Sequence, residues 1–300
     1  MLRKIKFHSR QSHRFLIPFI CFLIIAAVFD LPRELRHHQS RILAQSVQVT
    51  MPSSSPTPSP SPSPSPSPQP SAAVEQLSGF CLNVPVIFYH HIEPQDQAKT
   101  EGHAALTVNA GVFEKQMAYL NQAGYTTISL DQLVNALAGH QHLGGKVIVI
   151  TIDDGYQDLF TYAFPIIQKY HITTSLAIAT GLVNNSGYIT WDQLKQMVGS
   201  GQVSTYDHTW SHASLPVLST SKAQYEIATG KQQLQANLGQ NSNVFVYPYG
   251  STSTNIINLL KSNGFMAAFA TTPGFTQCDS NIFSLHRTRI GNSALSSYGL

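Results

Sequence analysis

The sequence has little charge and no strong excess of one sign. Among 300 residues, 18 are Lys or Arg and 15 are Asp or Glu, a formal net charge of +3. The basic residues gather near the N-terminus and form no stripe through the later sequence, which argues against nucleic acid as a partner. Cysteine is scarce too: there are three, and Cys21 lies inside an apolar run. Cys81 and Cys278 remain, either as an extracytoplasmic disulfide or as two buried thiols. No clear A-x-A cleavage site comes after the apolar run Phe15 to Phe29, although five cations, Arg3, Lys4, Lys6, Arg10 and Arg14, precede it. That polarity places the N-terminus in the cytoplasm and exports the rest of the chain. The run is shorter than the roughly 20 apolar residues of a full span. A cleaved signal is therefore the alternative to a signal anchor, and secretion the alternative to a single-pass protein of the cell membrane.

The organisation along the chain rests on these features. Residues 1–14 form a basic cytoplasmic head, 15–31 a transmembrane signal anchor, 32–76 a linker and 77–300 a single globular domain. From Ser53 to Ser71 the linker alternates Ser or Thr with Pro, which removes backbone donors and offers nothing apolar to bury, so an extended spacer is expected.

In the globular part, Val84–Tyr89, Tyr125–Ile128, Val147–Ile152, Thr174–Ala179, Val244–Tyr247, Met266–Ala270 and Ser284–Ile290 read as strands. Helices are expected around Val112–Ala123, from a capping box at Ser129 and Gln132 to Gly144, at Phe164–Tyr170, from Thr190 and Gln193 onward, and at Ala223–Leu238 and Asn255–Ser262. The nearly continuous apolar run Val147–Ile152 suits a strand covered on both faces. Alternation of strands and helices predicts an α/β fold with a parallel sheet, open or closed as a barrel, with its chemistry in loops after the strands' carboxyl ends.

Two adjacent carboxylates, Asp153 and Asp154, come directly after the most apolar strand. Burying both without compensation is costly, and a metal ion would neutralise one while leaving the other to accept a proton; a plain Asp-Asp-Gly turn is the alternative. His208 and His212 are four residues apart, a spacing that lets two imidazoles bind one ion, although surface histidines share it. One carboxylate with two histidines also matches the facial triad of non-haem iron oxygenases, which need no second aspartate beside the ligand.

The chain resembles the polysaccharide deacetylases with a NodB-homology domain, carbohydrate esterase family 4. Thr151-Ile152-Asp153-Asp154-Gly155 resembles the family's T-F-D-D-G motif, His208-Thr209-Trp210-Ser211-His212 its H-[ST]-x-x-H motif, and Pro248-Tyr249-Gly250 the end of R-x-P-Y-G, with Val246 where arginine is expected. Val86-Ile87-Phe88-Tyr89-His90-His91 is similar to the first strand of the circularly permuted branch, represented by poly-N-acetylglucosamine deacetylases. The resemblance implies a distorted (β/α) barrel and hydrolysis of N-acetyl groups on a GlcNAc-type polymer of the cell envelope or extracellular matrix. It further implies Asp153 as base, Asp154, His208 and His212 as ligands of a divalent ion, Zn2+ before Co2+, Ni2+ or Fe2+, and Tyr249 as oxyanion donor. His90 is the expected acid, with His91 as fallback. Arg287 or Arg289, read as sharing one face of the last strand, would replace the missing arginine. Trp191, Tyr247 and Pro248 would bind the sugar. A wall-binding module that kept the fold and lost catalysis is the rival reading.

Overall fold

Residues 78–241 and 243–300 are described in a computed structural model of the chain. The expected basic head, signal anchor and Ser/Pro linker lie outside the described residues. Among those described, no helix is long and apolar enough to cross a membrane.

Eight strands form one parallel sheet: β1 (Val86–Tyr89), β2 (Tyr125–Ile128), β3 (Lys146–Asp154), β4 (Thr174–Ile178), β5 (Val203–Asp207), β6 (Val244–Val246), β7 (Ala267–Phe269) and β8 (Thr288–Arg289). Their order across the sheet is β7-β6-β5-β4-β3-β1-β8. β2 shares an edge of β3 with β1, pairing with Lys146–Val149 while β1 pairs with Val149–Ile152. The sheet curls into a half-barrel, and a single bridge between Phe269 and Leu285 links its two ends. The N-terminal strand therefore sits between the central strand and the last one, which brings sequence-distant ends together.

Eight of the nine residues of β3 are buried, so both of its faces are covered. Side chains alternate across a strand, and Ile148, Ile150 and Ile152 pack on one side with Phe113, Met117 and Leu120 of α1 (Ala110–Gln122). Val147 and Val149 pack on the other side with Leu130, Leu133 and Leu137 of α2 (Leu130–Ala138). Each such side chain contributes roughly 1.5–3 kcal/mol of burial. The capping boxes expected at Ser129 and Thr190 both form, the second opening Trp191–Gly199. The long helix Thr220–Leu238 starts earlier than the apolar pattern suggested, because Ser219 caps it.

Two expected boundaries are corrected. The Ser129 helix stops at Ala138, before Gly144, because Gly139 caps it and the residues beyond carry no apolar face. The expected strand Ser284–Ile290 shrinks to Thr288–Arg289. Upstream, the His286 N–H is taken by the Gln277 side chain and the Arg287 N–H by the Thr272 carbonyl, so no continuous ladder forms. Cys81 and Cys278 are joined by a disulfide where Cys81–Asn83 pairs antiparallel with Thr276–Cys278.

Candidate active site

Because the strands run parallel, their carboxyl ends share one rim. Tyr89 of β1, Asp154 of β3, Asp207 of β5, Val246 of β6 and Arg289 of β8 are all terminal residues. His90, Asp153, Asp154, His208, His212, Tyr247, Tyr249 and Arg289 thus converge on one cavity of about 570 Å³.

Asp153 is 2 % exposed and is held from both oxygens: Arg287 Nη1 donates to Oδ1 and Nη2 to Oδ2, each at 2.8 Å. Arg287 is itself fully buried. Its Nε donates to the Ala270 carbonyl and Nη1 also to Thr151 Oγ1, while the guanidinium lies 4.6 Å from the Phe88 ring centre. A bidentate fork of this kind fixes the carboxylate in position as well as in charge. The choice between two arginines is thereby resolved as a matter of placement. Arg287 grips Asp153, and Arg289 stands exposed at the rim, donating to the Ala105 carbonyl. The reading of one shared strand face is corrected, since Arg287 precedes β8 and turns into the core.

Asp154 is buried and has a left-handed φ of 74°, which aims its carboxyl away from the strand's own alternation. His208 Nε2 lies 3.3 Å and His212 Nε2 3.0 Å from Asp154 Oδ1. Neither contact has hydrogen-bond geometry, and this buried oxygen receives no hydrogen bond. His208 Nδ1 lies 2.7 Å from the Val246 carbonyl, to which only a protonated Nδ1 can donate, so the neutral ring turns a lone pair at Nε2 toward Asp154. Lone pairs facing a carboxylate oxygen repel unless a cation lies among them, so the donor set fits a divalent metal. Burial alone would raise the Asp154 carboxyl. Only as protonated donors would the two imidazoles outweigh it and hold the group below the usual carboxylate range.

His90 comes just after β1 and has a buried Nδ1 that bonds to no group. Burial lowers its pKa, and the carboxylates of Asp153 and Asp154 oppose that shift. His91 points elsewhere: its Nδ1 lies 2.5 Å from Asp158 Oδ2, and its ring is stacked between Tyr156 at 3.7 Å and His103 at 3.9 Å. It lines a neighbouring cavity of about 530 Å³ with Glu93 and His103.

Tyr249 reaches over His212, ring centres 4.7 Å apart, from a backbone with φ of 60°. Its side chain is 64 % exposed, so it forms the rim and not the floor. Tyr247 touches the cavity but is fully buried, its hydroxyl donating to the Phe283 carbonyl and pushed up to about 12 by burial. Neither Pro248 nor Trp191, both expected to bind the sugar, lines this cavity. Pro248 is buried in the turn beneath Tyr249, and Trp191 opens its helix packed on the core, away from the cavity. Sequence reasoning missed Phe88, Leu106, Tyr156 and Thr271, which also line the cavity. Only Tyr156 left a signal, standing two residues after Asp154.

A family model described as polysaccharide deacetylase matches residues 140–268, a span holding both the aspartate pair and the histidine pair. This part of the chain thus reads as a polysaccharide deacetylase domain. Over 249 residues it is 27 % identical to the poly-beta-1,6-N-acetyl-D-glucosamine N-deacetylase of Escherichia coli K12, covering 69 % of this chain but 36 % of that one. Streptococcus pyogenes deacetylase PplD superposes with a TM-score of 0.66 at 26 % identity, covering 72 % of this chain and 97 % of PplD. IcaB from Ammonifex degensii gives 0.62 at 25 % identity, covering 72 % and 94 %.

Proposed function

We propose that this chain is a metal-dependent hydrolase that removes N-acetyl groups from a GlcNAc-type polysaccharide and releases acetate. One arrangement carries the reading: a buried carboxylate oxygen faced by two imidazole nitrogens, beside a second carboxylate locked by Arg287, at the floor of an open cavity. Zinc is the ion assigned first, since one carboxylate and two imidazoles leave a fourth position open for water or substrate. When bound, the ion would polarise the acetamide carbonyl and acidify a water molecule.

The side chains then divide the work. Asp153 keeps its lone pairs aimed at the cavity because Arg287 holds it, and it takes a proton from the attacking water. The Tyr249 N–H donates to the carbonyl oxygen as that atom gains negative charge. His90 gives a proton to the departing nitrogen as the C–N bond breaks, so the water's oxygen ends in acetate and the amine stays on the sugar. Burial weakens His90's hold on its proton and so makes it a stronger acid.

The name of the E. coli relative makes poly-β-1,6-N-acetylglucosamine the first polymer to test. The Cys81–Cys278 disulfide and the basic head before the apolar run support an extracytoplasmic domain on a membrane anchor. The test is acetate release from that polymer, chitin oligomers, peptidoglycan and acetylated xylan, with metal content determined on the same preparation. Release from the first with a bound divalent ion is expected. No release from any of them would leave a binding module.

A further inference from the structure

The loop that carries both histidines is held in an unusual shape. Thr209 and His212 have φ of 64° and 61°, a region that costs a residue with a side chain about 1–3 kcal/mol. Thr209 is β-branched, which makes the conformation harder still. From the sheet side, Asp207 Oδ1 accepts the Thr209 N–H at 2.8 Å, and Thr180 and Gly181 donate to the carbonyls of Thr209 and Trp210.

The other side is gripped by one residue of the helix Thr220–Leu238. Glu226 is 7 % exposed, and no Lys or Arg pairs with it among the described residues. Its Oε2 accepts the Ser211 N–H at 2.8 Å, its Oε1 accepts the Ser211 hydroxyl at 2.7 Å, and its backbone carbonyl accepts the Trp210 N–H at 3.1 Å. A buried carboxylate without a counter-ion is expensive, and these charge-assisted bonds are what offset it.

We propose that Glu226 is a positioning residue that clamps the 208–212 loop in metal-binding shape before the metal arrives. The inference rests on the metal reading above. His208 has its own anchor in the Val246 carbonyl, whereas His212 has a partly exposed ring and depends on Ser211 beside it. Loss of the clamp therefore acts through His212. Outer partners of metal ligands typically contribute 10- to 100-fold to affinity, and Glu226 reaches the ligands through the backbone of the loop itself.

The test compares Glu226→Ala, Glu226→Gln and Leu234→Ala in the full-length chain, the last removing a core side chain from the same helix. Zinc affinity measured by chelator competition should fall roughly 10- to 100-fold in Glu226→Ala and stay near wild type in Leu234→Ala. Glu226→Gln should recover most of it, since the amide oxygen still accepts the Ser211 N–H and the amide nitrogen donates to the rotated hydroxyl. Hydrogen exchange on the metal-free proteins should show faster amide exchange across residues 208–213 in Glu226→Ala alone. Unchanged zinc affinity in Glu226→Ala, or unchanged exchange in that loop, overturns the clamp. A wild-type chain that binds no zinc overturns the functional reading instead, and exchange still decides the clamp.

Discussion

Asp154, His208 and His212 on one side of Tyr156, and His91, Glu93 and His103 on the other, are drawn from the same residue types. In each set the ligand-type atoms lie within 4.8 Å of one another. The rings of His208 and His212 are 4.9 Å apart and tilted by 51°. Those of His91 and His103 are 3.9 Å apart and 19° from parallel. Two imidazoles sharing a tetrahedral ion at about 2.0–2.1 Å hold their centres on the order of 5 Å apart with converging lone pairs, which the first pair satisfies. Stacked rings send their in-plane lone pairs side by side.

The partners differ in the same sense. The His208 Nδ1 bond to Val246 leaves Nε2 free to bind, and His91 with its Nδ1 on Asp158 keeps Nε2 likewise, but His103 meets a carboxylate at both nitrogens, Glu93 Oε1 2.9 Å from Nδ1 and Glu101 Oε2 3.1 Å from Nε2. Residue types and spacing thus bring histidine and carboxylate together in both places. Ring orientation and the second nitrogen's partner are what distinguish the proposed metal site from the second cluster.

The comparison breaks most visibly at the ligands. Asp154→Ala, His208→Ala and His212→Ala should each abolish acetate release, because a three-ligand site has no spare donor. Asp153→Asn should lose activity by on the order of 10² to 10⁴ while keeping its metal, as shown by metal analysis beside the assay. A similar loss is expected for His90→Ala on acetamides, with normal metal binding. Hydrolysis of an activated aryl acetate, whose leaving group needs little protonation, should suffer much less. Equal losses on both substrates would remove His90 as the acid.

Arg287→Ala should act on stability as well as rate. It leaves a buried Asp153 unpaired, at about 3–5 kcal/mol in denaturant unfolding. The smallest effect is expected at Glu93, in the stacked cluster. Burial, then repulsion from Asp158, raises its carboxyl above the ordinary 4.5. A raised value means that the folded protein holds this proton more tightly than the unfolded chain. Stability is therefore fully present below about 4.5 and declines as pH rises through the folded value. Glu93→Gln should flatten that decline in thermal unfolding and leave metal binding alone.

Much of the site was legible because parallel strands send their ends to one rim, so Asp153-Asp154 and His208 to His212 meet once the β-α alternation is recognised. The expectation for His90 came from the resemblance to the permuted branch, and its place directly after β1 puts it on the same rim. Which arginine meets Asp153 was not legible, since it depends on how the chain bends between Leu285 and Thr288, where side-chain bonds replace the ladder. Trp191 packs on the core and does not line the cavity, a placement the sequence could not fix because an aromatic residue at a helix start serves a core as readily as a sugar groove. Glu226 left no sequence signal, lying fifteen residues from Ser211 on a helix whose amphipathic pattern accounts for it as an ordinary polar position.

The central claim is that only one of the two clusters holds metal, and ions bound per chain in wild type, His212→Ala and His103→Ala test it directly. The account predicts one divalent ion in wild type and in His103→Ala and none in His212→Ala. Two ions in wild type, an ion kept by His212→Ala, or one lost with His103→Ala would contradict it.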